Sequence, residues 1–424
     1  MKEKGRPSLE KSIFDFLIKD FSPRFGEVQP SAPSSELWQK LNDIGTELWL
    51  DTGNMEEIEK YWTQQFSAVT TNNTLLNKEV QTGRYDKLIS NISDIINLYN
   101  LNEHERMLEF AFVLNAYHAL RLVEKFDAYV SVEEHTALAY DVPLAVKYAQ
   151  RYHKICPERF IVKIPFTPAG LLATRKVSAQ GIPVNHTLGF SARQSYMIAR
   201  IGRPEYVNVF LGRLSSFVVD NGLGNGQYIG EKAALASNKI IKKLQNTYSV
   251  PTRQIAASLR DGQQVMNLAG VNVMTMPPKV AGQFLDMAIS QEQITKQTQQ
   301  EYEPGVKEPK DIEKFVLNNL WEVSNELIEC VDKLENEDLD TYSTDDIIDF
   351  FQNNGCGVVL VRWSDEEVKT SMVEGKIPQL ENWGKALMKK TVGLDSLMNL
   401  AGLCSFTKDQ AEMDKRIRSV LQKT

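Results

Sequence analysis

The sequence predicts an α/β protein built as a TIM (β/α)8 barrel, with an N-terminal arm and a mostly helical C-terminal extension. Three observations carry this prediction. Short apolar, β-branched runs alternate with longer stretches of helical periodicity, the rhythm of βα units feeding a parallel sheet. Eight such runs can be counted. They spread over roughly 230 residues, close to the size of such a barrel. A doubly wound open sheet shares the first observation and is the runner-up, because periodicity alone does not show closure.

Taken in order, residues 8–20 read as a short amphipathic helix, and 22–35 as a Pro/Ser-rich linker that completes an arm over 1–35. The barrel is expected over 36–300. Its strands fall at 46–51, 66–71, 127–132, 160–164, 182–187, 206–211, 253–258 and 271–275. Helical patterns lie between them, as at 104–123, where Met107, Phe110, Ala111, Leu114 and Tyr117 recur at helical spacing. Glu301-Tyr302-Glu303-Pro304-Gly305 to Glu308-Pro309 reads as a linker into an extension over 301–424. There, 311–335 and 378–422 read as amphipathic helices, and Ser343 with Asp345 and Asp346 forms an N-cap with an acidic first turn. Val358-Val359-Leu360-Val361 fits a strand or a buried helical turn equally well. The extension carries no catalytic motif. It is expected to act in packing, or else in self-association that would make the protein a homo-oligomer.

Composition narrows the class. The 424 residues carry 48 basic and 55 acidic side chains, a net charge of −7, which argues against a dedicated nucleic-acid binder. No apolar run approaches the roughly 20 residues needed to cross a bilayer. Met1 to Arg6 is positively charged with no apolar stretch behind it, so no secretory signal is expected. Cys156, Cys330, Cys356 and Cys404 stand far apart, as suits reduced thiols in a cytoplasmic protein. The N-x-S/T triplets at Asn72, Asn91 and Asn185 are then chance matches.

In a TIM barrel the chemistry sits where strands end at the C-terminal face. Here the successive strands end in or carry Asp51, Asn72, Glu133, Lys163, Asn185 with Thr187, Arg213, and Ser258 with Arg260. These are the parts of a site for a polar, anionic substrate. Lys163 interrupts the run Phe160-Ile161-Val162-Lys163-Ile164-Pro165, on the face opposite Val162 and Ile164. In a barrel interior, desolvation favours the free amine, which beside carboxylates can form a Schiff base with a carbonyl. A lysine that snorkels to the rim or pairs structurally with Glu133 is the alternative. Asp51 and Glu133 suit the proton transfers that iminium chemistry needs, and equally suit solvated strand ends. Arg213, Arg260 and Ser258 suit a phosphate.

Two further signals are weaker. Gly222-Leu223-Gly224-Asn225-Gly226 lacks the strand and helix context of a nucleotide loop. His104, His118, His135, His153 and His186 form no metal-ligand spacing, and alternation points His186 away from the proposed site.

At these residues the sequence resembles the transaldolase family of Schiff-base aldolases, from about Leu48 to Pro278. Leu48-Trp49-Leu50-Asp51 is similar to the family's first-strand motif, and Thr70-Thr71-Asn72-Asn73-Thr74-Leu75 to T-T-N-P-S-L. Val130-Ser131-Val132-Glu133 resembles V-S-T-E, and Val162-Lys163-Ile164-Pro165 the segment with the Schiff-base lysine. Gly181-Ile182 with Asn185-His186-Thr187-Leu188-Gly189-Phe190-Ser191 resembles G-I-x-x-N-x-T-L-x-F-S. Phe210-Leu211-Gly212-Arg213 and Ala257-Ser258-Leu259-Arg260 resemble F-V-G-R and A-S-F-R.

The resemblance implies Lys163 as nucleophile, Asp51 as the acid/base for carbon–carbon cleavage, and Glu133 with Thr187 handling a catalytic water. It implies that Asn72 and Asn185 hold substrate hydroxyls, and that Arg213, Ser258 and Arg260 bind a sugar phosphate. Asn208 stands where the family has a serine that touches the donor, and Phe210 where transaldolases have phenylalanine and fructose-6-phosphate aldolases tyrosine. The implied reaction moves a dihydroxyacetone unit from a ketose phosphate to an aldose phosphate, in the pentose phosphate pathway, with no metal or organic cofactor. An aldolase that releases its product, and a non-catalytic sugar-phosphate-binding barrel, are the rivals. Asn73 replaces the family's proline and is expected to free the loop after Asn72, and His135 stands where an acid is common.

Overall fold

The computed structural model describes residues 7–23, 25–26 and 32–423, so the charged start at 1–6 and part of the expected linker lie outside the described residues. Eight strands form: β1 (Glu47–Asp51), β2 (Phe66–Thr70), β3 (Tyr129–Glu133), β4 (Phe160–Pro165), β5 (Val184–Thr187), β6 (Tyr206–Phe210), β7 (Arg253–Ala257) and β8 (Val273–Met276). They pair in sequence order, all parallel, and β8 closes on β1. The open-sheet alternative is thereby excluded. Each strand begins and ends within two residues of its expected range.

Strand alternation sorts each side chain to the barrel interior or to the helical layer. In β1, Leu48 and Leu50 are buried towards the helices, while Glu47, Trp49 and Asp51 share the opposite face. That one face therefore reads charge, aromatic plug, charge from bottom to top. Register does the rest. Glu133 of β3 lies beside Lys163 of β4, which lies beside Asn185 of β5, so three chemically distinct groups share one level. Several following helices begin on side-chain caps supplied by the loops: Asn72 caps the helix Asn73–Gln81, Thr167 the helix Pro168–Ser178, and Ser191 the helix Ala192–Ile201. These caps fix the loops just above the strand ends.

The first helix, Leu9–Ile18, buries Ile13 and Leu17 as its periodicity predicts. The expected helix at 104–123 extends over Glu103–Phe126, opened by a reciprocal capping box between Asn102 and Glu105. Beyond the barrel come helices Asn325–Leu334, Thr344–Asn353, Asp365–Glu374, Leu380–Met388 and Leu394–Leu421. Ser343 caps the second of these through a capping box with Asp346. Residues 358–361 form neither strand nor helix; they make a turn that buries Val359 and Leu360. Its backbone is spent on anchoring the last helix, since the carbonyls of Val358 and Val359 accept from Ser396 Oγ.

The C-terminal helices pack back onto the barrel. Leu394, Leu397, Met413 and Ile417 of the last helix join the same apolar core as the strands. Leu327, Val331, Ile347 and Phe351 form a second core with Leu171, Tyr196 and Met197 of the barrel helices. The apolar faces that prompted the expectation of self-association are thus largely covered within the same chain. Charge locks the arrangement. Asp395, fully buried, accepts from Ser191 Oγ at 2.6 Å and from Arg193 Nε at 2.7 Å and Nη2 at 2.5 Å.

The glycine-rich stretch at 222–226 proves to be structural. Its backbone pairs with residues 305–307: Gly226 N–H donates to Gly305 O at 3.1 Å and Lys307 N–H to Leu223 O at 2.6 Å. A Cβ at Gly224 would stand 2.1 Å from Gly305 O, so the close crossing of two backbones explains that glycine.

Candidate active site

The strand ends enclose a cavity of about 290 Å³. Asp51, Asn72, Lys163, Asn185, Asn208, Phe210, Arg213, Ser258 and Arg260 line it, nine of the eleven residues singled out in the sequence. Glu133 and Thr187 do not line it but stand directly behind residues that do. Glu133 Oε1 is 3.8 Å from Lys163 Nζ, and Thr187 Oγ1 accepts from Asn208 Nδ2 at 2.9 Å. Thr70, Thr275, Lys376 and Phe406 also line the cavity and were not anticipated. A larger cavity of about 600 Å³ between His135–Tyr140 and the C-terminal helices is mainly apolar, and holds neither Lys163 nor its carboxylates.

Lys163 is buried, and its Nζ donates to the carbonyl of Thr71 at 3.0 Å. It is the amine of a small, enclosed network. Asp51 Oδ1 accepts from Thr70 Oγ1 at 2.7 Å, and Thr70 and Thr275 share a further bond of 2.7 Å. Burial pushes the pKa of Asp51 up, against the pull of Lys163 and of the Thr70 hydrogen bond. The same balance raises Glu133, where burial outweighs Lys163 and the backbone N–H of Asn73. Two carboxylates with raised pKa values beside a buried amine are the kinds of group that proton transfer requires.

Asn73 corrects the expectation of a freed loop. It is wholly buried, its N–H donates to Glu133 Oε2 at 2.8 Å, and its Nδ2 donates to Glu134 O at 3.2 Å. A proline would lack that N–H. Asparagine here ties the loop to the general acid/base candidate. Asn208 likewise bridges its neighbours, donating to Asn185 Oδ1 at 3.2 Å as well as to Thr187. Asn185 Nδ2 in turn donates to Ser131 Oγ at 3.0 Å. Sequence reasoning places Asn208 through the family pattern but not its double bond, which depends on β5 and β6 register.

The other side of the cavity is cationic. Arg213 sits 5.4 Å from the ring centres of both Phe210 and Phe406, and its Nη1 is buried without a hydrogen-bond partner. Burial and the neighbouring Arg260 lower its pKa to about 10. Burial also lowers that of Arg260. Ser258, which lines the same wall, is in the left-handed region at φ 66°, as is Leu188 above β5 at 62°. Such conformations in non-glycine residues are characteristic of functional loops held by their surroundings. Gly212 is required by contact: a Cβ would stand 2.2 Å from Ser258 O and 2.5 Å from Arg260 Nε.

His186 points outward as expected, bonded to Thr174 Oγ1 at 2.8 Å. His135 caps a turn through Ala137 N–H and faces Asp414 at 3.5 Å. The four cysteines are free and buried. Among the described residues, no cluster of three or more His, Cys, Asp or Glu side chains could hold a metal ion. Among the same residues, no helix is long and apolar enough to cross a membrane.

The fold and cavity define a TIM-barrel protein with a buried amine, two carboxylates beside it and a cationic wall at the C-terminal face. Comparison with known proteins gives the family. The profile described as Transaldolase/Fructose-6-phosphate aldolase matches residues 48–346, and the chain belongs to this family. Among curated relatives, a "Probable transaldolase" of Thermus thermophilus is 33% identical over 243 residues, covering 56% of this chain and 90% of its own. Those of Lysinibacillus sphaericus and Geobacillus thermodenitrificans are 32% and 30% identical over 249 and 251 residues, each covering 58% of this chain and 93% and 94% of their own.

Proposed function

We propose that the chain is a transaldolase acting on phosphorylated sugars through a Schiff base on Lys163. The observation that carries this reading is the placing of one buried lysine between Glu133 and the Asp51 side of a cavity whose far wall is Arg213, Ser258 and Arg260. The amine of Lys163 attacks the C2 carbonyl of a ketose phosphate, and loss of water from the carbinolamine gives the iminium. Glu133 and Thr187 relay the protons of that water. Asp51 takes the proton of the C4 hydroxyl as the C3–C4 bond breaks, and the bond's electron pair passes into the iminium to form an enamine. The aldose phosphate leaves. The enamine then adds to the aldehyde of a second aldose phosphate, Asp51 returns its proton to the new hydroxyl, and hydrolysis frees Lys163.

In this reading Asn72, Asn185 and Asn208 hold the hydroxyls of the dihydroxyacetone unit, and Phe210 closes the donor end. The phosphate is held by the two arginines and Ser258 through charge-assisted bonds. No metal or organic cofactor takes part, since the iminium is the electron sink. The activity belongs to sugar-phosphate metabolism of the pentose phosphate type in the cytoplasm. Incubation with fructose 6-phosphate and borohydride, followed by mass mapping, is expected to place a dihydroxyacetone-sized adduct on Lys163 and none on a Lys163→Met variant. A wild-type chain that gains no adduct from any ketose phosphate would refute the mechanism. Rapid, repeated release of free dihydroxyacetone without an acceptor would instead assign the chain to the aldolase branch of the family.

A further inference from the structure

One cation of the cavity comes from outside the barrel. Lys376 follows Gly375, whose φ of 82° turns the chain at the end of the helix Asp365–Glu374, and it lines the same cavity as Arg213, Ser258 and Arg260. Lys376 itself is exposed, so it stands at the mouth. Neither it nor Arg213 nor Arg260 has an ion-pair partner among the described residues. Asp409, the acid whose field reaches both Arg213 and Lys376, is engaged by Thr74 Oγ1. Partial desolvation at the cavity mouth, then Arg213, hold the Lys376 ammonium below the usual lysine range. Like charges gathered with no acid in ion-pair contact repel one another, and a bound dianion relieves that repulsion. The orphan Nη1 of Arg213 shows the same unmet demand.

We propose that Lys376 is a substrate-binding residue supplied by the C-terminal region: a third cation that closes on the phosphate dianion from the solvent side and sets the preference for phosphorylated over neutral ketoses. This rests on reading the site as one for phosphorylated sugars. The test uses the full chain and inorganic phosphate, so it needs no turnover. By calorimetry, Lys376→Met is expected to weaken phosphate binding about five-fold or more, with Lys376→Arg within about two-fold of wild type. In kinetics, Lys376→Met should raise KM for fructose 6-phosphate with little change in kcat, lowering the preference over fructose by a similar factor. Phosphate affinity unchanged in Lys376→Met, or no phosphate binding by wild type, overturns the inference. Phosphate binding that depends on Lys376 in a chain that never forms the Lys163 adduct supports it while refuting the transaldolase reading.

Discussion

The two mouths of the barrel are built from similar residue types and treat charge in opposite ways. At the N-terminal mouth, Glu47 is saturated. Its Oε1 accepts from Trp49 Nε1 at 2.7 Å and Ser67 Oγ at 2.6 Å, and its Oε2 meets Arg253 Nη1 at 2.5 Å. Tyr206 lies against the Trp49 ring, centres 4.8 Å apart, and seals the network. Ser67 reaches Glu47 because the register of β1 and β2 shifts between Leu48 and Trp49, leaving Ser67 as the extra residue. At the C-terminal mouth, Lys163 and Glu133 stay 3.8 Å apart, Arg213 keeps an orphan donor, and Asp51 is held by a threonine alone. One end pairs its charges closely; the other leaves them loosely paired or without a partner, the arrangement the proposed substrate site requires.

That contrast can be broken by substitution. The largest effect is expected at Asp51. Asp51→Asn should lower turnover about a hundred-fold or more, the usual scale for a lost acid/base group, without lowering the melting temperature at neutral pH. The sign follows from burial. The folded pKa of Asp51 is raised, so its charged form costs stability in full above that pKa; the cost shrinks as pH falls through it and is gone below the ordinary aspartate value. For the same reason, the acid limb of kcat/KM should lie above the ordinary aspartate range, and a limb at or below that range would contradict a buried base. A large loss of stability in Asp51→Asn would show that the C-terminal mouth is also structural.

A smaller effect is expected at Asn73. Asn73→Pro removes the N–H that holds Glu133, so its pKa should rise further and kcat should fall about ten-fold near neutral pH. A pH profile superimposable on wild type would show that this bond positions nothing. The smallest effect lies at the other mouth, where Glu47→Gln should cost about 1 kcal/mol of stability, read from denaturant unfolding, because the network is partly exposed. Its kcat should stay within about two-fold of wild type, since Glu47 is a whole strand away from Asp51. A hundred-fold loss of activity there would erase the distinction between the mouths.

Much of the barrel was legible because strand alternation is a local property. Lys163 inside a β-branched run, and polar residues at successive strand ends, are visible one strand at a time. The end of β8 was overlooked, although Thr275 carries the same signal as its neighbours and bonds to Thr70 at 2.7 Å. Asn73 was misjudged because the loss of proline suggests freedom, whereas the gained N–H is bonded. Lys376 and Phe406 were illegible for a different reason. Nothing in their local sequence marks them, and they reach the cavity only through packing of the C-terminal helices, locked by Asp395 against Ser191 and Arg193. Turn 358–361 was ambiguous because four apolar residues are too short a run to reveal a period.

That distant wall has a consequence for synthesis. β8 ends at Met276, while Phe406 follows much later in the chain. At about 5–20 residues per second, translation places an interval on the order of ten seconds between them. Lys163, Glu133 and Asp51 have therefore all been synthesised well before the residues of the C-terminal wall. The cavity is thus assembled from two stretches of chain made at different times, and its lining is complete only when the C-terminal helices have been added.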